Sequence, residues 1–204
     1  GQLQEYQFAS AWVRCEQRKD GRVVQPLSVF MHYYAPASLE DRRVLYIDGQ
    51  NQGMMQVRKG GQILPSVVLG VDPLGDVARM ESNYPITDNS FDRILGRLIE
   101  QVNNAIQHDP SGTNTEVSYF RNARIDDRVC THIQLVHPER ETGIRYHKSS
   151  WYFDDQLHVP LRIVNYGWPQ PEGEEPPVVE EYMYVDLSIN VGLTDADFSR
   201  SKLN

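Results

Sequence analysis

TDNSFDRILGRLIEQVNNAI, residues 87–106, is the stretch on which the fold turns. Phe91, Ile94, Leu95, Leu98, Ile99, Val102 and Ile106 recur at intervals of three and four, which predicts an amphipathic helix with one continuous apolar stripe. Pro85 lies just ahead, Thr87 or Asp88 is placed to accept hydrogen bonds from the first-turn amides, and Asp92 suits the positive helix end. His108-Asp109-Pro110-Ser111-Gly112 supplies the stop, because proline cannot extend the helix and glycine can turn the chain back. A helix of about five turns is expected.

The sequence on both sides reads as strand. Upstream, residues 6–16 form one extended run, with Tyr6, Phe8 and Trp12 on one face and Ala9, Ala11 and Val13 on the other. Lys19-Asp20-Gly21-Arg22 carries a hairpin signal, since Asp-Gly tolerates the positive φ that short turns need. Further strands are predicted at 28–34, stopped by Ala35-Pro36, at 43–47, at 54–57, and at 63–69 after Gly60-Gly61. Downstream, strands are predicted at 116–120, 129–136, 143–154, 160–168 and 178–187. Residues 169–177 read as an exposed proline- and glutamate-rich loop, and the tail from 193 as a docked loop or short helix begun at Thr194 or Asp195. The expected architecture is α+β: a curved antiparallel sheet or unclosed half-barrel, with the one main amphipathic helix packed on its concave face. One domain over 1–204 is expected, because no linker divides the chain.

Composition narrows the class. With 40% apolar and 24% charged residues the chain has the make-up of a globular protein, and its formal charge of −8 repels nucleic acid and anionic membranes. No apolar run reaches the roughly 18–20 residues that cross a bilayer. The chain opens at Gly1 without an initiator Met, so a signal peptide already removed is expected. Cys15 and Cys130 are too distant for a CxxC motif; a Cys15–Cys130 disulfide and two small, half-buried strand thiols are the alternatives.

Side chains with chemistry are sparse. His132, His137, Glu139, Glu141 and His147 lie close enough in sequence to test a metal or acid–base reading. No HExxH helix, cysteine pair or calcium loop accompanies them, and Arg140, Arg145 and Lys148 beside the acids read more simply as a charged exterior. Ser149-Ser150 lacks a GxSxG elbow. Asp126-Asp127, Asp154-Asp155 and Glu180-Glu181 are neighbours in turns or strands, where adjacent side chains point to opposite faces and cannot flank one bond. No catalytic residue, metal or cofactor is expected. Aromatic residues crowd the strands, and most of them pack the sheet. A minority, with the helix, are expected to line an apolar groove for an acyl chain: Trp12, Phe30, Tyr46, Phe91, Leu95, Leu98, Val102, Tyr182 and Tyr184.

Several blocks carry a resemblance. Gly-Leu-Thr-Asp-Ala-Asp-Phe at 192–198, with Val185-Asp186-Leu187 before it, resembles the ending of a bacterial family of unknown function, number 1571 among such domains. Residues 30–36 ahead of Arg43-Val44-Leu45-Tyr46, Pro85-Ile86-Thr87, and Val136-His137-Pro138-Glu139 match along the rest of the chain. That family in turn resembles the LolA-type periplasmic lipoprotein carriers, whose fold is an unclosed antiparallel barrel with helices inside. The resemblance implies export to the periplasm and an apolar groove able to hold lipid or a lipidated protein, and it implies no catalytic residue. Only Arg22 to Gln25 separate the first hairpin turn from Pro26-Leu27-Ser28, where the family pattern has a longer stretch. Three readings follow: a lipid- or lipoprotein-binding envelope module, an envelope scaffold with a filled interior, and a hydrolase built on His132, His137 and His147.

Overall fold

The computed structural model describes residues 5–64, 66–140, 143–171 and 173–204; Gly1 and Glu141 lie outside the described residues. It divides into two compact units, one formed by 1–94 together with 190–204 and the other by 95–189. The strands are antiparallel, the sheets are unclosed, and there is one main helix, as the sequence predicts.

The first unit is built on β1 (Phe8–Arg14), β4 (Ser28–Ala35), β5 (Arg43–Ile47), β6 (Met55–Arg58) and β7 (Val68–Val71), paired in that order. A separate ribbon joins β2 (Gln17–Lys19) to β3 (Arg22–Gln25). Its turn has φ of 52° at Asp20 and 75° at Gly21, the mirror-image geometry that matches strand twist. Strand alternation sorts the core into two faces. Trp12, Phe30 and Leu45 stand opposite one another on one face, and Val13, Val29 and Tyr46 on the other. The first face is closed by Phe198 and Leu203, carried on two short 3₁₀ turns, Asp195–Phe198 and Arg200–Leu203. Thr194 caps the first of these turns reciprocally with Asp197, a capping box that fixes where the chain bends in. The second face packs against Ile86.

The main helix is α2 (Phe91–His108), preceded by a short α1 (Asp76–Glu81) that the sequence pattern did not reveal. α2 starts later than expected. Residues 86–88 make a 3₁₀ turn, so neither Thr87 nor Asp88 caps the helix, and the first intrahelical bond runs from the Ile94 amide to the Ser90 carbonyl. The predicted stripe also shifts. Ile94, Leu98 and Ala105 are buried, whereas Ile99 and Ile106 are 60% and 57% exposed. At about 100° per residue, positions 99 and 106 sit roughly a quarter turn off the line through 91, 94, 98 and 105, so their side chains miss the sheet.

The second unit carries β8 (Glu116–Ile125), β9 (Arg128–Val136), β10 (Lys148–Asp154), β11 (Pro160–Tyr166) and β12 (Val178–Met183), in the spatial order β12-β11-β10-β9-β8. Gln101 of α2 donates to the Ser149 Oγ at 2.5 Å, which sets the helix on the face bearing Ser149. That face presents two rows across the strands. One reads Tyr119, Ile133, Trp151, Ile163, Tyr182; the other Val117, Leu135, Ser149, Asn165, Glu180. β8 holds a bulge between Phe120 and Ala123, with Asn122 at φ 60°.

Candidate functional site

Tyr46 and the pair Trp12–Phe30 occupy opposite faces of the first sheet, because register neighbours share a face and adjacent residues do not. The two rings of that pair lie 5.4 Å apart and pack beneath Phe198 and Leu203, so they are core and not a groove wall. Tyr46 packs with Leu27 and Val29, and its hydroxyl donates to Asp48 at 3.1 Å; burial first, and then that carboxylate, push its pKa up to about 12. The expected single lining is therefore divided. Leu95, Leu98, Val102, Tyr182 and Tyr184 do share the second unit. Burial raises the Tyr184 pKa, against the counter-pull of Arg97 on α2.

One of the two rows on the face that meets α2 carries buried polar groups. Glu180 is buried and accepts from Asn165 Nδ2 at 2.7 Å and from the Tyr146 hydroxyl, while Ser149 is taken by Gln101. A buried carboxylate is retained where donors satisfy it, and such a row repels an acyl chain. A pocket of ≈ 10 Å³ lies where Ala105, Asp109, Thr115, His137 and Ile144 meet, room for about one water and far below the roughly 300 Å³ of a ligand site. Asp109 organises its rim: the amides of Thr113, Asn114 and Thr115 and the Ser111 hydroxyl all donate to its carboxylate. Those donors overcome the opposing effect of desolvation and hold its pKa at about 2.

The histidines do not converge. His132 is sandwiched on the other face of the second sheet, its ring centroid 5.0 Å from Phe120 and 4.2 Å from Tyr152, and burial followed by Arg162 and Lys148 lowers its pKa. His137 Nδ1 lies 3.3 Å from the Thr115 hydroxyl, and His147 Nδ1 lies 2.8 Å from the His137 carbonyl oxygen. One ring nitrogen of each, Nδ1, is thus engaged by a local partner. Among the described residues no group of three or more His, Cys, Asp or Glu is placed to hold a metal ion. The Cys15–Cys130 disulfide is not formed: both thiols are free, Cys15 exposed and Cys130 buried in the cluster of Ile125 and Leu161.

What the sequence pattern missed is the segment 60–81. The strand expected from 63 begins only at Val68, and Ile63 and Leu64 stand more than half exposed in turns, Leu64 at φ 52°. Leu74, Val77 and Met80 are also more than half exposed, so one short run presents five large apolar side chains to solvent. Both of its ends are fastened to the same turn. Gly61 donates its amide to the Glu40 carbonyl at 2.7 Å. Arg42 donates through Nε to the Lys59 carbonyl at 3.1 Å and through its other arm to Glu81. The turn itself is braced by Asp41, which takes Arg58, Arg43 Nε at 3.1 Å and His32 Nε2 at 3.0 Å; Arg58 foremost holds its pKa below the usual carboxylate range. A single guanidinium thus ties the entry of this apolar flap to its exit, and β7 within it is paired with β6 of the first sheet.

The described residues thus form two unclosed antiparallel sheets, one main helix and an exposed apolar run at 60–81. The family model described as "Protein of unknown function (DUF1571)" matches residues 1–204, and the chain belongs to that family. No curated protein matches it in sequence. Among solved structures it is similar to a DUF1329 family protein from Desulfovibrio piger, with 15% identity, 95% of this chain and 82% of that one covered, and a TM-score of 0.35. It is similar to a putative outer membrane lipoprotein-sorting protein domain from Vibrio parahaemolyticus at 10% identity, 88% and 78% coverage and a TM-score of 0.32. A third similarity is to the structure of the CwlD amidase from Clostridioides difficile in complex with the GerS lipoprotein, at 10% identity, 89% and 85% coverage and a TM-score of 0.32. Likenesses this slight leave function to the chain's own residues.

Proposed function

We propose that the protein is an exported, non-catalytic module of the cell envelope that binds a lipid, or the acyl chains of a lipidated protein, through the apolar 60–81 segment. The envelope setting comes with the resemblance of the sequence blocks; the ligand class comes from the flap. Burying a Leu, Ile, Val or Met side chain is worth about 1.5–3 kcal/mol, and five of them on one stapled run are a strong incentive to meet an apolar partner. Asp72, Asp76 and Glu81 against Arg79 leave the segment acidic, which favours an acyl chain presented singly over an anionic bilayer surface. The test is to incubate purified protein with palmitic acid and with a palmitoylated peptide, separate free ligand by gel filtration, and measure what is retained by mass spectrometry. Retention by the parent protein, lost in Leu74→Ser/Val77→Ser with an unchanged circular dichroism spectrum, is the expected result. No retained lipid, or retention that the double substitution leaves intact, sinks the proposal. The polar row beneath α2 favours a second reading, an envelope scaffold whose flap meets a protein surface; failure to retain lipid is its signature.

A further inference from the structure

The edge strand β8 is longer than the other sheet edges, β1 with seven residues, β7 and β12. With 10 residues it is the longest of the described strands, and it ends the second sheet, so one of its sides is bonded to β9 and the other is bonded to nothing among the described residues. β12, the opposite edge, carries the adjacent acids Glu180 and Glu181, and β7 has only four residues. Long edges are normally blunted by lysine, proline or brevity. In β8 the stretch 116–120 has no lysine or proline, and its exposed side chains include Val117, Tyr119 and Phe120, at 48%, 68% and 48%. The bulge at 121–122 bounds this flat run on its C-terminal side.

We infer that β8 pairs antiparallel with β8 of a second copy of this chain, about a two-fold axis at Ser118. The run is complementary to itself in that arrangement. Val117 of one copy faces Tyr119 of the other, twice, on one side of the sheet, and Ser118 faces Ser118. Charge agrees with the antiparallel sense: Glu116 of one copy stands opposite Phe120 of the other and next to its Arg121, so the acidic end meets a basic residue. A parallel pairing would set like beside like. The bulge blocks slippage in one direction, because that shift brings the kinked backbone at Asn122 into the ladder, and a shift the other way shortens the paired run to 116–118. The contact is small, which makes association concentration-dependent, over a range on the order of 10–500 µM.

Sedimentation velocity across that range is expected to show a monomer–dimer equilibrium. Tyr119→Lys places a charge on the edge and weakens dimerisation by about tenfold or more; its side chain is largely exposed, and a retained unfolding midpoint confirms the fold. Directly opposed residues in an antiparallel pair have Cα atoms about 4.5–5.5 Å apart, within disulfide range. Ser118→Cys in a Cys15→Ser background therefore cross-links to itself on mild oxidation, whereas Asp126→Cys, beyond the bulge, does not. A protein that stays monomeric throughout, a dimer indifferent to Tyr119→Lys, or cross-linking equal at both positions overturns the pairing. None of these outcomes depends on lipid binding.

Discussion

Asp154 shows how much one side chain organises. The sequence sets it beside Asp155 as one of several acidic pairs in turns or strands, yet it is 2% exposed and accepts from the Leu157 amide at 2.6 Å, the Gln156 amide at 2.8 Å and the Arg128 guanidinium. The type of residue was legible; its burial was not, because the partner that makes burial tolerable lies on another strand, 26 positions away. Arg128 foremost holds the Asp154 pKa at about 2, below its ordinary 3.8. A depressed carboxylate pKa contributes stability above the unfolded value that is lost as pH falls through the folded one. The urea midpoint of the wild type is therefore expected to drop between about pH 4 and pH 2. Asp154→Asn should lower stability by about 1.5–3 kcal/mol at neutral pH, by removing a charge-assisted bond, and flatten that acid limb. A titration of urea midpoints for both proteins decides it; an acid limb of equal steepness in the variant refutes the assignment.

Elements were read well where periodicity spoke and poorly where it fell silent. The 43–47 strand matches β5 residue for residue, and the Asp-Gly hairpin is where its turn chemistry puts it. α2 is present because Leu98 and its companions repeat at helical spacing, but the pattern admitted Ile99 and Ile106 to the stripe, since hydrophobicity alone does not say how wide a face the sheet covers. Leu98→Ala is expected to cost about 2–5 kcal/mol, whereas Ile99→Ala should stay within roughly 0.5 kcal/mol. Chemical denaturation of the pair measures the face directly, and equal losses would return Ile99 to the core. The flap was illegible for a different reason. Only its 63–69 part reads as strand in the sequence, and its start is held by close backbone approach. A Cβ on Gly60 would stand 2.3 Å from the Arg42 amide nitrogen, at φ +64°. Gly60→Ala should cost more than about 2 kcal/mol and raise amide exchange across 60–81; exchange that remains unchanged would show that the anchor lies elsewhere.

At the scale of the whole molecule, sequence indicated the inventory of antiparallel strands around one main helix but not their division. Each strand's alternation fixes which residues share a face; it does not fix which sheet the strand joins, because that is decided by pairing partners far along the chain. Hence the expected groove set, drawn from aromatic residues of many strands, is distributed over two faces of one sheet and one of another. The apolar surface that carries the proposed function lies instead on 60–81, where the sequence predicts only the strand at 63–69.

The first unit closes on residues from both ends of the chain, with Phe198 and Leu203 sealing the face that holds Trp12 and Phe30. During synthesis, then, residues 8–14 and 28–47 are made before the turns that cover them, while 95–189 is one continuous stretch. The aromatic face stays uncovered until residues 195–203 emerge, and that interval is when a chaperone has something to hold.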